Sequence, residues 1–259
     1  MPQDHAAFLA GSPSRVRLLS ALDDADGGGT PADLAEATGI AHRSVQRNLG
    51  EMVDRGWVEK VSGTYRLTAV GRLVAAEQAR HERALDSLDA FEPLLGHLPA
   101  DHTPPLDALD DATLVSAAPD RPQAPIQHYV QSVEGFEPTT IRIALPVLSR
   151  LFHRVHGELA LDGAHTELVL GEETMARAAD LNPLEFAALR RVSIIDLYVS
   201  DEPVGCGVTV GDDRAVVGAY DDDGNMRACA AGDGRFHDWA TDLYRRYREA
   251  ARPLDETDI

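Results

Sequence analysis

The strongest constraint on the fold lies in residues 30–68, TPADLAEATGIAHRSVQRNLGEMVDRGWVEKVSGTYRLT. Thr30 is a helix cap, Pro31 suits the first helical position, and Gly39 is a stop. After a short turn, Val45, Leu49, Met52 and Val53 recur at helical spacing, and Gly56 closes that second helix. WVEKVSGTYRLT then reads as two short strands around a Ser62-Gly63 turn. Upstream, SPSRVRLLSAL (12–22) has Ser12 as cap, Pro13 behind it, and Val16, Leu18, Leu19 and Leu22 on one face.

Helix, tight turn, helix and hairpin is the order of a winged helix-turn-helix, which lays its second helix in the DNA major groove. At 100° per residue with Val45 at zero, Arg43 falls at about 160° and Arg47 at about 200°, away from the apolar stripe. His42 and Gln46 flank them, and Gly50 adds no bulk. Arginine pairs with guanine and glutamine with adenine. The DNA-facing set is therefore Arg43, Gln46 and Arg47 on bases, with His42 beside them. Ser44 and Thr30 serve phosphates near helix N-termini, and Lys60 and Arg66 hold backbone from the two hairpin arms. Arg43 and Arg47 taken alone would be ordinary solubilising residues.

Charge sharpens this choice. The 259 residues include 43 acidic and 24 basic ones, for a net charge of −19, and Lys60 is the sole lysine. An acidic, lysine-poor chain resembles the proteins of salt-loving archaea, where screening acts over ~3 Å in molar salt. Residues 1–80 carry 9 basic and 10 acidic residues, the rest 15 and 33. The N-terminal third has been spared the acid, as a phosphate-facing surface requires.

A long helix follows from Thr68 to about Leu95, with Val70, Leu73, Val74, Leu85, Leu88 and Phe91 apolar. It is expected to pair with its twin in a homodimer, or else to pack on its own second domain. LPADHTPP (98–105) is the linker. The expected domains are 1–67, the winged helix; 68–97, the linking helix; and 106–252, an α/β effector domain. In the last, ATLVSAA, TTIRIALP, HTELVLG and VSIIDLYVS alternate as strands with helical APIQHYVQSVEGF, VLSRLFHRVHG, ETMARAADL and LEFAALRR. A three-stranded meander (206–232) and a closing helix, FHDWATDLYRRYREAARP, complete an overall α/β chain.

Residues 6–67 resemble the winged-helix domain of archaeal regulators of the MarR, ArsR and TrmB kinds. The carrying phrase is LAEATGIAHRSVQRNLGEMVDRGWVEKV…GTYRLT. RIALPVLSRLF, VLGEETMARA and LYVSDEPVGCGVTVGDDRAVVGAYDDDGNMRA resemble the FilR-type (methanogenesis regulatory protein), TrmB-like effector domain. The resemblance implies a haloarchaeal transcriptional regulator with double-stranded DNA as partner and a possible small-molecule effector. A protein-interaction module is the alternative.

Ligands of open α/β sheets bind beyond the carboxyl ends of strands, which points to Pro146, Gly171 and Asp201. Tyr129, Arg142 and Tyr198 are candidates to line such a cleft, although core or surface roles suit each of them. No catalytic signature occurs: no G-x-S-x-G, P-loop or H-E-x-x-H. TrmB-like domains resemble the phospholipase D fold, whose H-x-K-x(4)-D motif needs a lysine that this domain lacks. No enzyme activity, cofactor or metal is expected. His153 and His156 form an i, i+3 pair without an evident third ligand, and DDDGN (221–225) resembles a calcium loop without its closing glutamate. The meander puts Cys206 and Cys229 on its two outer strands, about 9.6 Å apart at usual strand spacing. A disulfide needs about 7 Å, so buried free thiols are expected. No apolar run reaches the ~18 residues of a membrane span, and no signal peptide is read at the N-terminus, so the cytoplasm is expected.

Overall fold

The computed structural model describes residues 5–25, 27–148, 154–157, 159, 163–181 and 194–254. The chain divides into two compact units, Met1–Asp86 and Ser87–Ile259.

The first unit contains α1 (His5–Ala10), α2 (Pro13–Asp24), α3 (Pro31–Thr38), α4 (His42–Asp54), β1 (Val58–Val61), β2 (Thr64–Leu67) and most of α5 (Ala69–Leu95). Thr30 and Asp33 form a reciprocal capping box: Thr30 Oγ1 accepts from the Asp33 amide at 3.3 Å, and Asp33 accepts from the Thr30 amide at 3.1 Å. Gly39 ends α3 in the left-handed conformation, φ 68°. Ser12 occupies the cap position of α2 but makes no side-chain capping bond. The core stripe of α4 is Val45, Asn48, Leu49 and Met52; Val53, expected inside, is 37% exposed. On the helix wheel Asn48 lies about 60° to one side of Val45 and Val53 about 80° to the other, so Asn48 takes the buried position and Val53 overshoots it. These residues join Leu18, Leu19, Leu34, Trp57 and Leu67 in one core.

The hairpin turns through Ser62 at φ 50° and Gly63 at φ 90°, with Val61 opposite Thr64. Two positive φ values match the right-handed twist of a two-residue hairpin. Gly29 bridges Tyr65 with two 2.9 Å backbone bonds, adding a third short edge to the wing. Gly71 has the closest approach in this unit: a Cβ there would lie 1.9 Å from the Trp57 carbonyl oxygen.

The second unit is built on an eight-stranded sheet of order β10-β6-β5-β4-β7-β8-β9-β3. Its strands are β3 (Ala112–Ser116), β4 (Thr140–Leu145), β5 (His165–Gly171), β6 (Ile195–Ser200), β7 (Gly207–Val210), β8 (Ala215–Tyr220), β9 (Met226–Gly232) and β10 (Ala251–Pro253). Its helices are α6 (Ala124–Glu134), α7 (Glu172–Leu181) and α8 (Gly234–Glu249). β4, β5 and β6 run parallel to one another, and the other described pairings of the sheet are antiparallel. One face of the sheet packs on α8, through Phe236, Trp239, Leu243 and Tyr244, and on Phe91 and Leu94. The other packs on α6, through Tyr129 and Val133, with Met175 of α7.

Two expectations about this unit need correction. β3 does not open a parallel series; it closes the far edge antiparallel to β9, Ala112 opposite Gly232. Gly232 permits this, since a Cβ there would meet the Asp111 carbonyl oxygen at 2.3 Å. The closing helix stops at Glu249, and Ala251–Pro253 forms an edge strand on β6. Pro253 disfavours helical geometry for the residue before it, and an edge is where a strand tolerates proline. The meander forms as expected, with Cys229 on its outer strand β9 opposite Gly218 of β8, but Cys206, expected on the other outer strand, lies one residue before β7; both thiols are free and buried. They belong to cores on opposite faces of the sheet. The expected helix at 184–191, LEFAALRR, falls outside the described residues.

Candidate nucleic-acid interface and effector face

The amphipathicity of α4 positions its outward side chains. With Val45, Leu49 and Met52 fully buried, His42, Arg43, Gln46 and Arg47 are all exposed, and Ser44 is half-buried. Neither Arg43 nor Arg47 makes an ion pair or hydrogen bond among the described residues. Arg15, Arg55 and Arg72 of this unit behave differently. Arg15 pairs with Glu51 at 2.9 Å and stands 4.0 Å over the Phe8 ring. Arg55 stacks on that ring at 3.7 Å and donates to the Glu51 carbonyl. Arg72 donates to the Leu67 carbonyl at 3.2 Å. Arg43 and Arg47 are thus cations that the surrounding fold does not use. Gly50 beside them is open: a Cβ there would have nothing within 4 Å.

The other expected contacts are partly committed within the fold. The Thr30 hydroxyl donates to Asp33 at 2.8 Å while it caps α3. These bonds, the side-chain one first, hold the Asp33 carboxyl below its usual range. Arg66 faces Glu59 across the hairpin and pairs with it at 2.8 Å, so its charge is locally balanced. Lys60 faces Tyr65, its ammonium 5.2 Å from the ring centre, and has no carboxylate partner among the described residues.

In the second unit, Pro146 and Asp201 follow β4 and β6 and Gly171 is the last residue of β5, so all three lie at the carboxyl ends of adjacent parallel strands, at one end of the sheet. The Pro146 carbonyl accepts from Thr174 at 2.8 Å. A Cβ at Gly171 would touch the Glu202 carbonyl at 3.6 Å. Tyr129, Arg142 and Tyr198 do not share a cleft. Tyr129 lies on the α6 face, while Arg142 and Tyr198 point to the α8 face, because strand side chains alternate. Arg142 pairs with Glu167 at 3.8 Å, and Glu167 also accepts from Tyr244 at 2.8 Å. Tyr198 lies beneath Arg248 at 3.4 Å. Tyr129 is 1% exposed, and its hydroxyl meets Thr209 at 2.7 Å and His156 at 2.6 Å. Burial drives its phenol pKa up.

This polar trio is not apparent in the sequence, because its members are separated by 27 and 80 positions. The expected partner of His156, His153, lies outside the described residues. Among the described residues no three His, Cys, Asp or Glu side chains gather as a metal site. Asp221 is turned inward in its loop, with Oδ1 accepting from the amides of Asp223 and Asn225. No helix among the described residues is long and apolar enough to cross a membrane.

Residues 3–90 match the family described as the HVO_A0261 N-terminal domain, and residues 122–250 match the middle domain of methanogenesis regulatory protein FilR1. No curated protein matches the sequence. Among solved structures, similarity is found to TrmBL2, an archaeal chromatin protein, at 14% identity and TM-score 0.42, covering 97% of this chain and 100% of that one. NucT from Helicobacter pylori is similar at 11% identity and TM-score 0.42, covering 55% and 98%. The adhesin competence repressor AdcR from Streptococcus pyogenes is similar at 21% identity and TM-score 0.27, covering 42% and 77%.

Proposed function

We propose that the chain, whose residues 122–250 match the FilR1 middle-domain family of regulatory proteins and whose residues 3–90 match the HVO_A0261 N-terminal domain family, is a sequence-specific DNA-binding transcription regulator rather than an enzyme. The observation that carries this reading is the pair of exposed, unpartnered arginines on the outer face of α4, in a chain of net charge −19. A protein under that much self-repulsion gains local stability by pairing its cations, as Arg15 does with Glu51 and Arg66 with Glu59. Leaving two free on a helix that fits the major groove suits guanine recognition, each bidentate contact being worth about 1–3 kcal/mol.

Gln46 lies between them in sequence for adenine, with His42 at the N-terminal edge. Ser44 and Thr30 reach phosphates, Thr30 through a hydroxyl already shaped by the cap. Lys60 and, less strongly, Arg66 attract the flanking backbone. The regulator acts as a homodimer in the cytoplasm, its two α4 helices on half-sites about one DNA turn apart. The exposed apolar face of α5 supports this assembly. The carboxyl ends of β4, β5 and β6, at Pro146, Gly171 and Asp201, serve as an effector-responsive edge.

The test is selection of bound duplexes from a random pool, followed by gel shifts in high salt. Arg43→Ala combined with Arg47→Ala abolishes the specific shift while leaving the melting temperature unchanged. An unaltered shift rejects α4 as the reading helix.

A further inference from the structure

We infer that the second unit also holds a site for a small zwitterion of the α-amino acid class, in a groove of about 250 Å³ at the end of the sheet opposite Pro146, Gly171 and Asp201. The groove lies on the α6 face and is lined by Asp111, Thr113, Ser132, Phe136, Arg214 and Asp233, among others. It is smaller than the ~300–1,000 Å³ of sites for drug-sized ligands, so its occupant is small.

It carries three charged side chains: Asp111, which is committed to the start of α8, and the opposite, adjacent and unspent pair Arg214 and Asp233. Ala215 pairs with Gly232, so Arg214 and Asp233 stand one step further along the same two strands. Even so, no ion pair joins them, and neither side chain has a hydrogen-bond partner among the described residues. The reason for the free carboxylate is visible. Asp233 occupies the cap position of α8 without capping it. Asp111 supplies that function from the neighbouring chain segment, accepting from the Arg235 amide at 2.9 Å. Gly234, at φ 48°, brings the helix start against Asp111. Asp233 is thereby released from helix duty and left at the groove.

The chemistry of the lining is that of a split recognition site. The Arg214 guanidinium presents a planar fork to a carboxylate, and such bidentate pairs are among the stronger polar contacts. Asp233 faces an ammonium. The hydroxyls of Thr113 and Ser132 make no hydrogen bond among the described residues and are available to the same polar ends. Phe136, 7% exposed, floors the groove for a short apolar side chain. Arg214 and Asp233 are both exposed, so a singly charged ligand would engage one pole alone, whereas a zwitterion engages both at once. Every residue of the groove belongs to the second unit, so none of them is among the residues proposed to face DNA.

Isothermal titration calorimetry of the full chain decides the matter, with L-alanine and L-leucine as probes and propionate and propylamine as their single-charge counterparts. Saturable binding of an amino acid is expected, at least tenfold tighter than either counterpart. Arg214→Gln and Asp233→Asn should each weaken it at least tenfold without moving the melting temperature of the free protein. Absence of saturable heat with both amino acids overturns the site, as does equal binding of propionate or propylamine. Wild-type affinity in Arg214→Gln overturns it too. A double-mutant cycle in which Arg214 and Asp233 stabilise each other, with no amino acid bound, would make them a plain surface ion pair and overturn it likewise. DNA binding is scored separately by gel shift, so either proposal can fail alone.

Discussion

The hydroxyls of Tyr129 and Thr209 lie 2.7 Å apart inside the second unit, joining α6 to β7 across 80 positions of sequence. His156 meets the same phenol at 2.6 Å, so one oxygen organises two partners, Thr209 buried and His156 half-buried. Tyr129→Phe removes the shared oxygen, whereas Thr209→Val leaves the Tyr129–His156 contact in place. A buried polar group stripped of its partner costs about 1–3 kcal/mol. Thermal unfolding should therefore show a larger loss for Tyr129→Phe than for Thr209→Val, by about 2–4 °C per kcal/mol in a chain of this size. Equal losses would mean that the phenol does not organise both.

Two glycines separate packing from propensity. Gly71→Ala drives a Cβ into the Trp57 carbonyl oxygen, a backbone atom that cannot swing aside. Overpacking of this kind costs about 1–3 kcal/mol. Gly50→Ala meets open space on an exposed helical position and should stabilise by about 0.5–1 kcal/mol. Denaturant midpoints of the two variants should move in opposite directions.

The thiols make a pH prediction. Burial raises Cys206 from its usual value to about 12, and burial also raises Cys229. In the unfolded chain both ionise near pH 9, whereas the folded chain keeps their protons. The folded state then binds more protons, so stability falls as pH rises from about 9 towards 12. Cys206→Ala should flatten that decline when unfolding is followed against pH. At neutral pH, native protein should resist iodoacetamide, and denatured protein should take up two equivalents.

The proposed homodimer rests on α5. Val70, Leu73, Leu85 and Leu88 are 55%, 73%, 49% and 42% exposed in the single chain. At 100° per residue all four lie within about 60° of Val70, a continuous apolar face with no cover. Leu73→Arg with Leu85→Arg should convert the sedimenting species from dimer to monomer and keep the helical circular dichroism. A monomeric wild type would remove the assembly from the proposal.

The first unit is largely legible in the sequence because its signals are local. Thr30, Pro31 and Gly39 bound one helix within nine positions, and Ser62-Gly63 sets the hairpin by its own backbone geometry. Val53 is misplaced because spacing alone cannot rank it against Asn48, which the helix wheel buries despite its amide. The second unit is less legible because its pairings are distant. β3 crosses to β9 through Gly232, and nothing near residue 112 announces that partner. Pro253, which reads as a helix tail, sits in an edge strand. At the candidate interface, Arg43 and Arg47 can be placed by angle, but the Glu59–Arg66 pair needs the strand register. The release of Asp233 by Asp111 needs tertiary structure altogether, since 122 positions separate them.

Lys60 has one more consequence. It is the chain's sole lysine, it is exposed, and it sits on the first arm of the hairpin. Acylating dyes that react with amines therefore find a single side-chain address, on the wing itself. Without any substitution, a fluorophore attached there becomes a built-in reporter of whatever approaches that edge of the molecule.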